Sequence, residues 1–271
     1  MLRGYYTAAS GMLAQMQRQQ VITNNLANVN TPGYKADQSS LHSFKNMLIQ
    51  RLDPSDPSNT SLGELSTGVY LQEDIPDFSL GSVSQTKKST DFALVPTQVP
   101  TNPNTGQAGT LFFTVQQADG SVAYTRNGQF AVDPRGRLET ANGDLVMGAN
   151  GQPITVASED FKVAADGRIY ENNRVTGRID VAYAADPNQM VKLGNDLYKA
   201  GTNGDRLPSA LGNQQIGFNI KQGFIEGSNV SPEQSMTDLM GAYRTFQANQ
   251  QVLKAYDQSM QLVANKVGQV E

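Results

Sequence analysis

His42 is the chain's one histidine and stands between Ser40 and Ser43, residue types that elsewhere make a nucleophile and its base. A working triad needs a distant carboxylate to converge on the pair, and the surrounding stretch is polar and weakly helical in pattern. Asp91, Asp133, Glu139 and Asp144 could supply the paired carboxylates of glycoside hydrolysis. They sit among strand-like runs, where solvated strand ends account for them. With no cysteine and a single histidine, a zinc site lacks ligands. The repeated Asp-Gly and Asn-Gly pairs lack the alternating acids of a calcium loop and read as turns. No Gly-rich phosphate loop is present. These residues point away from catalysis, and no metal or cofactor is expected.

The patterns that organise the chain lie at its ends. From Met236 a heptad runs through Met236, Leu239, Tyr243, Phe246, Gln250, Leu253, Asp257, Met260, Ala264 and Val267. Eight of these ten are apolar, the seam of a coiled coil or a tight bundle. Ser231-Pro232-Glu233-Gln234 marks its start as a capping box with Pro at the first helical position. Leu2, Tyr5, Ala9, Met12, Met16, Gln19, Thr23 and Leu26 repeat the spacing more loosely near the N-terminus. Further apolar residues off the seam, among them Tyr6, Leu13, Met240 and Val252, imply packing on more than one side. The first helix is read over 3–29, ended at Thr31-Pro32-Gly33. Its closing turns hold Asn24, Asn25, Asn28 and Asn30. Asn is a poor helix former, so this cluster, together with Leu26, is expected to find partners across an interface.

Between the helices the pattern changes. A short helix is expected over 36–52, then a mobile loop near 53–60, where Asp and Pro alternate. Turn dipeptides at Asp119-Gly120, Asn127-Gly128, Arg135-Gly136, Asn142-Gly143 and Asn150-Gly151 alternate with runs such as Phe112–Val115, Val122–Thr125, Phe130–Val132 and Leu145–Met147. That is the spacing of a meander of short antiparallel strands, extended by Ile179–Ala184 and Ile216–Ile220. Pro96 to Gly109 reads as a surface loop. The fold class is therefore α+β: terminal helices pair as a coiled-coil-like domain, with an all-β domain of short antiparallel strands inserted. The expected divisions are 1–35, a connector over 36–85, the β domain over 86–222, and 223–271.

Composition narrows the function classes. Gln and Asn number 25 and 21, together equal to the 46 charged residues. So neutral a polar surface suits close packing of copies, since few charges need desolvating. A net charge of −4 gives no reason to expect nucleic acid. No apolar run is long enough to span a membrane, and the N-terminus lacks the pattern of a signal peptide. No acid precedes Asp37.

The segment Asn24-Asn25-Leu26-Ala27-Asn28-Val29-Asn30-Thr31-Pro32-Gly33-Tyr34 closely resembles the N-terminal signature of the bacterial flagellar rod and hook proteins. Gln222-Gly223-Phe224-Ile225-Glu226-Gly227-Ser228-Asn229-Val230 is similar to the segment that precedes their C-terminal helix. Tyr124-Thr125-Arg126-Asn127-Gly128-Gln129-Phe130 is similar to their central strand pair, and Gly194 to Tyr198 to another stretch. The chain departs from the family where Pro96–Gly109 replaces a Gly-rich turn before Phe112-Phe113, and where Pro32 precedes Gly33. The resemblance implies a basal-body rod subunit, of distal- or proximal-rod type, assembling with copies of itself into a helical tube. It also implies other rod and hook proteins as neighbours, and export by the flagellar type III apparatus without cleavage of the N-terminus. A hook subunit, an adhesin fibre and a secreted cell-wall hydrolase are the alternatives.

Overall fold

The computed structural model describes every residue except 1, 46, 51–60, 66, 73–74, 104–105, 159, 202–205 and 268–271. The mobile loop expected near 53–60 lies outside the described residues. The chain is α+β and divides into two compact units. One comprises Met1–Ala27, Asp37–Ile75 and Ser231–Glu271; the other comprises Asn28–Ala36 and Pro76–Val230.

The first unit holds both helices, α1 (Leu2–Ala27) and α2 (Pro232–Val267). The N-terminus of α2 is capped as its sequence directs: the Gln234 N–H donates to Ser231 Oγ at 3.4 Å. Only half of the capping box forms, because the Gln234 amide turns outward to Asp238 Oδ1 at 3.1 Å. Among the described residues of 36–52 the expected helix is absent. The structure has strands at Asp37–Gln38, Leu41–Ser43 and Met47–Gln50. The second pairs antiparallel with Val69–Leu71, and the third with Ser61–Leu65. An isolated helix of so few residues is marginal, and these backbone ladders satisfy the same groups. Among the described residues no helix is long and apolar enough to cross a membrane.

The second unit is built on a sheet of eight antiparallel strands. Its centre is a strand over Thr110–Gln116, which pairs with Val122–Thr125, Leu145–Val146 and Val181–Ala184. Leu111, Phe113 and Val115 point into one core with Phe92, Leu138 and Ile179. Phe112 points into a second core on the other face, with Tyr124 and Tyr198. Burial on both faces explains the unbroken apolar run. The simple meander does not hold, because the chain returns at Leu145–Val146 to lie beside Thr110–Gln116. Nor does the loop begin at Pro96: a strand over Phe92–Gln98 carries it, paired with Gly217–Gln222. That pair is a sheet of two strands, so proline's missing donor faces no second neighbour there.

The turns share one construction. The amide of Gly120, Gly136, Gly143, Gly151 or Gly167 donates to the carbonyl three residues back, and each glycine has positive φ, from 75° to 86°. These are three-residue hairpin connections closed by a glycine bulge, in which the glycine supplies the left-handed residue; the expected turn at Asn127-Gly128 is not of this kind, since Gly128 is not among the glycines of positive φ.

Candidate functional site

In the helical unit, α1 and α2 run antiparallel. A Cβ on Gly4 would stand 2.0 Å from the Tyr256 hydroxyl oxygen, and one on Gly11 would stand 2.9 Å from the Asn249 amide nitrogen. The buried and half-buried residues of α2 recur as Leu239, Ala242, Phe246, Asn249, Leu253 and Tyr256. Of the expected seam, Leu239, Phe246 and Leu253 lie on this covered face. Met236 and Tyr243 are 54% and 52% exposed, and Met260 is exposed too. On α1, Tyr6, Leu13 and Met16 are likewise exposed. Asn25 is buried and works within the chain: its amide exchanges two hydrogen bonds of 2.9 Å with the backbone of Asp37. Leu26 is half-buried and Asn24 exposed. Asn28 accepts from the Thr31 hydroxyl at 3.2 Å where the chain leaves the helix.

In the β unit, the three signature segments converge on one ionic cluster that sequence reasoning missed. Lys35, Arg126 and Glu226 are all buried, Lys35 completely. Lys35 Nζ donates to Glu226 Oε1 at 2.6 Å and to the Ser79 carbonyl at 2.6 Å. Arg126 donates to Glu226 Oε2 and to the carbonyls of Leu111 and Leu94 at 2.8 and 3.0 Å. The Gly81 N–H completes the shell of Glu226 at 3.1 Å. Backbone bonds reinforce this clamp. Gly33 N–H donates to the Glu226 carbonyl at 2.8 Å, and Ala36 N–H donates to Asn229 Oδ1 at 2.8 Å. Asn229 in turn donates to the Asp77 carbonyl at 2.8 Å. Gly33 has φ +72°, and a Cβ there would lie 2.5 Å from the backbone of Arg126 and Asn127. The only signal in the sequence was that each recognised segment contains or adjoins one charged residue, Arg126 and Glu226 within theirs and Lys35 just after its own.

Two cations share one carboxylate, so the cluster holds an excess positive charge solvated by carbonyl oxygens. Burial pushes the Glu226 carboxyl up, but Arg126 and Lys35, with the hydrogen bonds of Lys35 and Gly81, outweigh it and hold it below its ordinary range. Burial, then the charge of Arg126, pulls the Lys35 ammonium below its ordinary range, and Glu226 offsets this only in part.

The residues first weighed for catalysis have other work. His42 is exposed in a strand, with Nε2 3.1 Å from Ser40 Oγ. The carboxylates are not all at solvated strand ends, since Asp91, Asp133 and Asp144 are buried. Asp133 accepts from the backbone of Arg135 and Arg137 and pairs with the Arg137 guanidinium. Asp144 accepts from the Thr140 hydroxyl at 3.2 Å. Asp133 and Asp144 thus serve turns, whereas Asp91 Oδ1 is buried without a hydrogen-bond partner among the described residues. Among the described residues no group of three His, Asp or Glu could hold a metal ion.

Three family descriptions match the chain: "Flagella basal body rod protein" over residues 6–35, "Flagellar hook protein FlgE/F/G D1 domain" over 108–171, and "Flagellar basal body rod FlgEFG protein C-terminal" over 221–266. The flagellar hook-basal body complex protein FlhO of Bacillus subtilis is 43% identical, with 100% of both chains covered. The flagellar basal-body rod protein FlgF of Salmonella typhimurium is 30% identical, with 94% of each covered. FlgG of Bacillus subtilis, also a basal-body rod protein, is 28% identical across 98% of this chain and 99% of its own. Lys35 and Glu226 fall inside the first and last matched segments and Arg126 inside the middle one, so the clamp joins what the three descriptions recognise separately, and the chain belongs to the flagellar basal-body rod and hook-basal body protein family.

Proposed function

We propose that this chain is a structural subunit of the flagellar basal-body rod, acting by assembly and not by catalysis. Copies associate through the terminal helices, with coiled-coil-like packing, into a hollow helical tube that transmits torque and passes exported subunits. The observation that carries this reading is the apolar face the helices leave uncovered: Tyr6, Leu13 and Met16 on α1, and Met236, Met240 and Tyr243 on α2. A monomer exposing that much aligned apolar surface has an interaction surface, and relatives matched along their whole length are named as rod proteins. Other rod and hook proteins are its neighbours at the ends of the tube. The helical frame carries the assembly residues, Asn24, Asn28, Met236, Tyr243 and Met260 among them, and the β unit forms the outer shell. Export proceeds through the flagellar type III apparatus, using the early part of the chain, to the basal body outside the cytoplasmic membrane.

The test separates the two faces of α2. Met236→Asp with Tyr243→Asp alters only exposed positions, so thermal unfolding of the purified chain stays within about 0.5 kcal/mol of wild type per site. Polymerisation and flagellation are lost, because each buried apolar side chain contributes about 1.5–3 kcal/mol at every subunit. Normal flagella on cells carrying the double variant would refute the assembly surface.

A further inference from the structure

Residues 28–36 carry no sheet of their own. Their long-range bonds reach to Ser79, Lys192, Glu226 and Asn229, between 44 and 193 residues away in the chain. We infer that this segment is a strap that latches onto and releases from the β unit as one cooperative piece, with Lys35 as its bolt, while the β core stays folded.

The asymmetry of the clamp supports this. Arg126 is held by the carbonyls of Leu111 and Leu94 as well as by Glu226. Without Lys35 that pair is neutral and complete. Lys35 adds a second buried cation against one carboxylate, and its depressed pKa reflects how much less comfortably the ammonium sits there than in water. An ammonium parted from its carboxylate must either lose its proton or return to water, so loosening the bolt weakens the hold of the neighbouring anchors. The other anchors include Gly33 N–H on the Glu226 carbonyl, Ala36 N–H on Asn229, Asp77 N–H on the Ala36 carbonyl at 2.8 Å, Lys192 Nζ on the Lys35 carbonyl at 3.0 Å, and the Tyr34 ring beneath Lys192 Nζ at 4.7 Å. The large cores on the two sheet faces include no residue of the strap. Tyr34 is the buried aromatic of the strap, so opening exposes that ring but neither large core, the condition for a local transition of lower energy than global unfolding.

Amide hydrogen exchange on the full-length chain tests this through two variants that report on each other. Glu226→Gln removes the bolt's carboxylate and leaves the Ala36 bond to Asn229 intact. Asn229→Ala removes that bond and leaves the Gly33 bond to the Glu226 carbonyl intact. Both variants are expected to speed exchange at Gly33 and Ala36 together, tenfold or more, with the strands 110–116 and 122–125 unchanged. Acceleration confined to the amide that lost its own acceptor would mean independent bonds and no latch. Equal acceleration of the central strands would mean that the strap is an ordinary part of the core. Asn229→Ala leaves every buried charge in place, so it decides the question even if Glu226→Gln does not fold.

Discussion

At Glu226 a carboxylate is kept ionised by two buried cations, of which Lys35 also feels the weaker charge of Asp77. Neutralising it leaves both cations buried, and breaking such a pair costs about 3–5 kcal/mol. Glu226→Gln is therefore expected to destabilise the chain by that order in urea unfolding at neutral pH. Lys35→Met, which leaves the neutral Arg126–Glu226 pair, should cost less. The sign of the pH dependence follows. The folded pKa of Glu226 lies below its ordinary 4.5, so its stabilisation is complete above that value and is lost as pH falls through the folded pKa. Lys35 acts oppositely: its folded pKa lies below 10.5, so stability gains as pH rises between the two values. Melting temperatures across pH should show an acid decline that Glu226→Gln flattens and an alkaline gain that Lys35→Met removes. Gly33→Ala forces a side chain into a left-handed position already occupied by backbone. Strain and overpacking together should cost about 2–4 kcal/mol, read from the same unfolding curves.

The hairpin turns allow one construction to be compared in two settings. Gly136 and Gly143 both have positive φ, but a Cβ at Gly136 would lie 2.5 Å from the Val156 carbonyl oxygen, whereas at Gly143 nothing lies within 4 Å. Gly143→Ala should cost only the conformational term, about 1–2 kcal/mol, and Gly136→Ala about 1–3 kcal/mol more; thermal melts of the two variants side by side decide it. Elements of this kind were readable in advance because their causes are local. Val122–Thr125 and Phe130–Val132 are bounded by turn residues, and α2 begins at Pro232 where its capping serine directs. The strand at Leu41–Ser43 was not readable, because what fixes it is Val69–Leu71, a partner some thirty residues on. Pro96 misled for a related reason: proline breaks a central strand, and only the sheet order reveals an edge. The clamp escaped notice although all three of its segments were recognised. Lys35, Arg126 and Glu226 carry no periodic signal, and their meeting depends on the completed fold.

For the molecule as a whole, the two faces of α2 call for different outcomes. Leu253 lies on the face covered within the chain, so Leu253→Asp should weaken the helix pair of the isolated subunit as well as assembly. Circular dichroism of the purified variant should show lost helix, whereas Met236→Asp with Tyr243→Asp should leave the spectrum unchanged. Lengthwise the helices are unequal. With Gly4 opposite Tyr256, α1 runs out near residue 258, and the last turns of α2 continue with Met260, Leu262 and Val263 exposed.

The chain passes between its two units at four places: after Ala27, Ala36, Ile75 and Val230. Residues of the β unit near three of these crossings are tied to one another, Gly33 and Lys35 to Glu226, Ala36 to Asn229, and Asp77 to both Ala36 and Asn229. In mechanical terms these bonds form a splice. Tension or twist on one of these three tied segments is shared with the others at the splice before it reaches the eight-stranded sheet. Bonds pulled along their length and sheared together resist more than bonds peeled singly. Because these bonds lie apart from the outer turns at Gly120 and Gly143, the sheet can be altered at those turns without touching them.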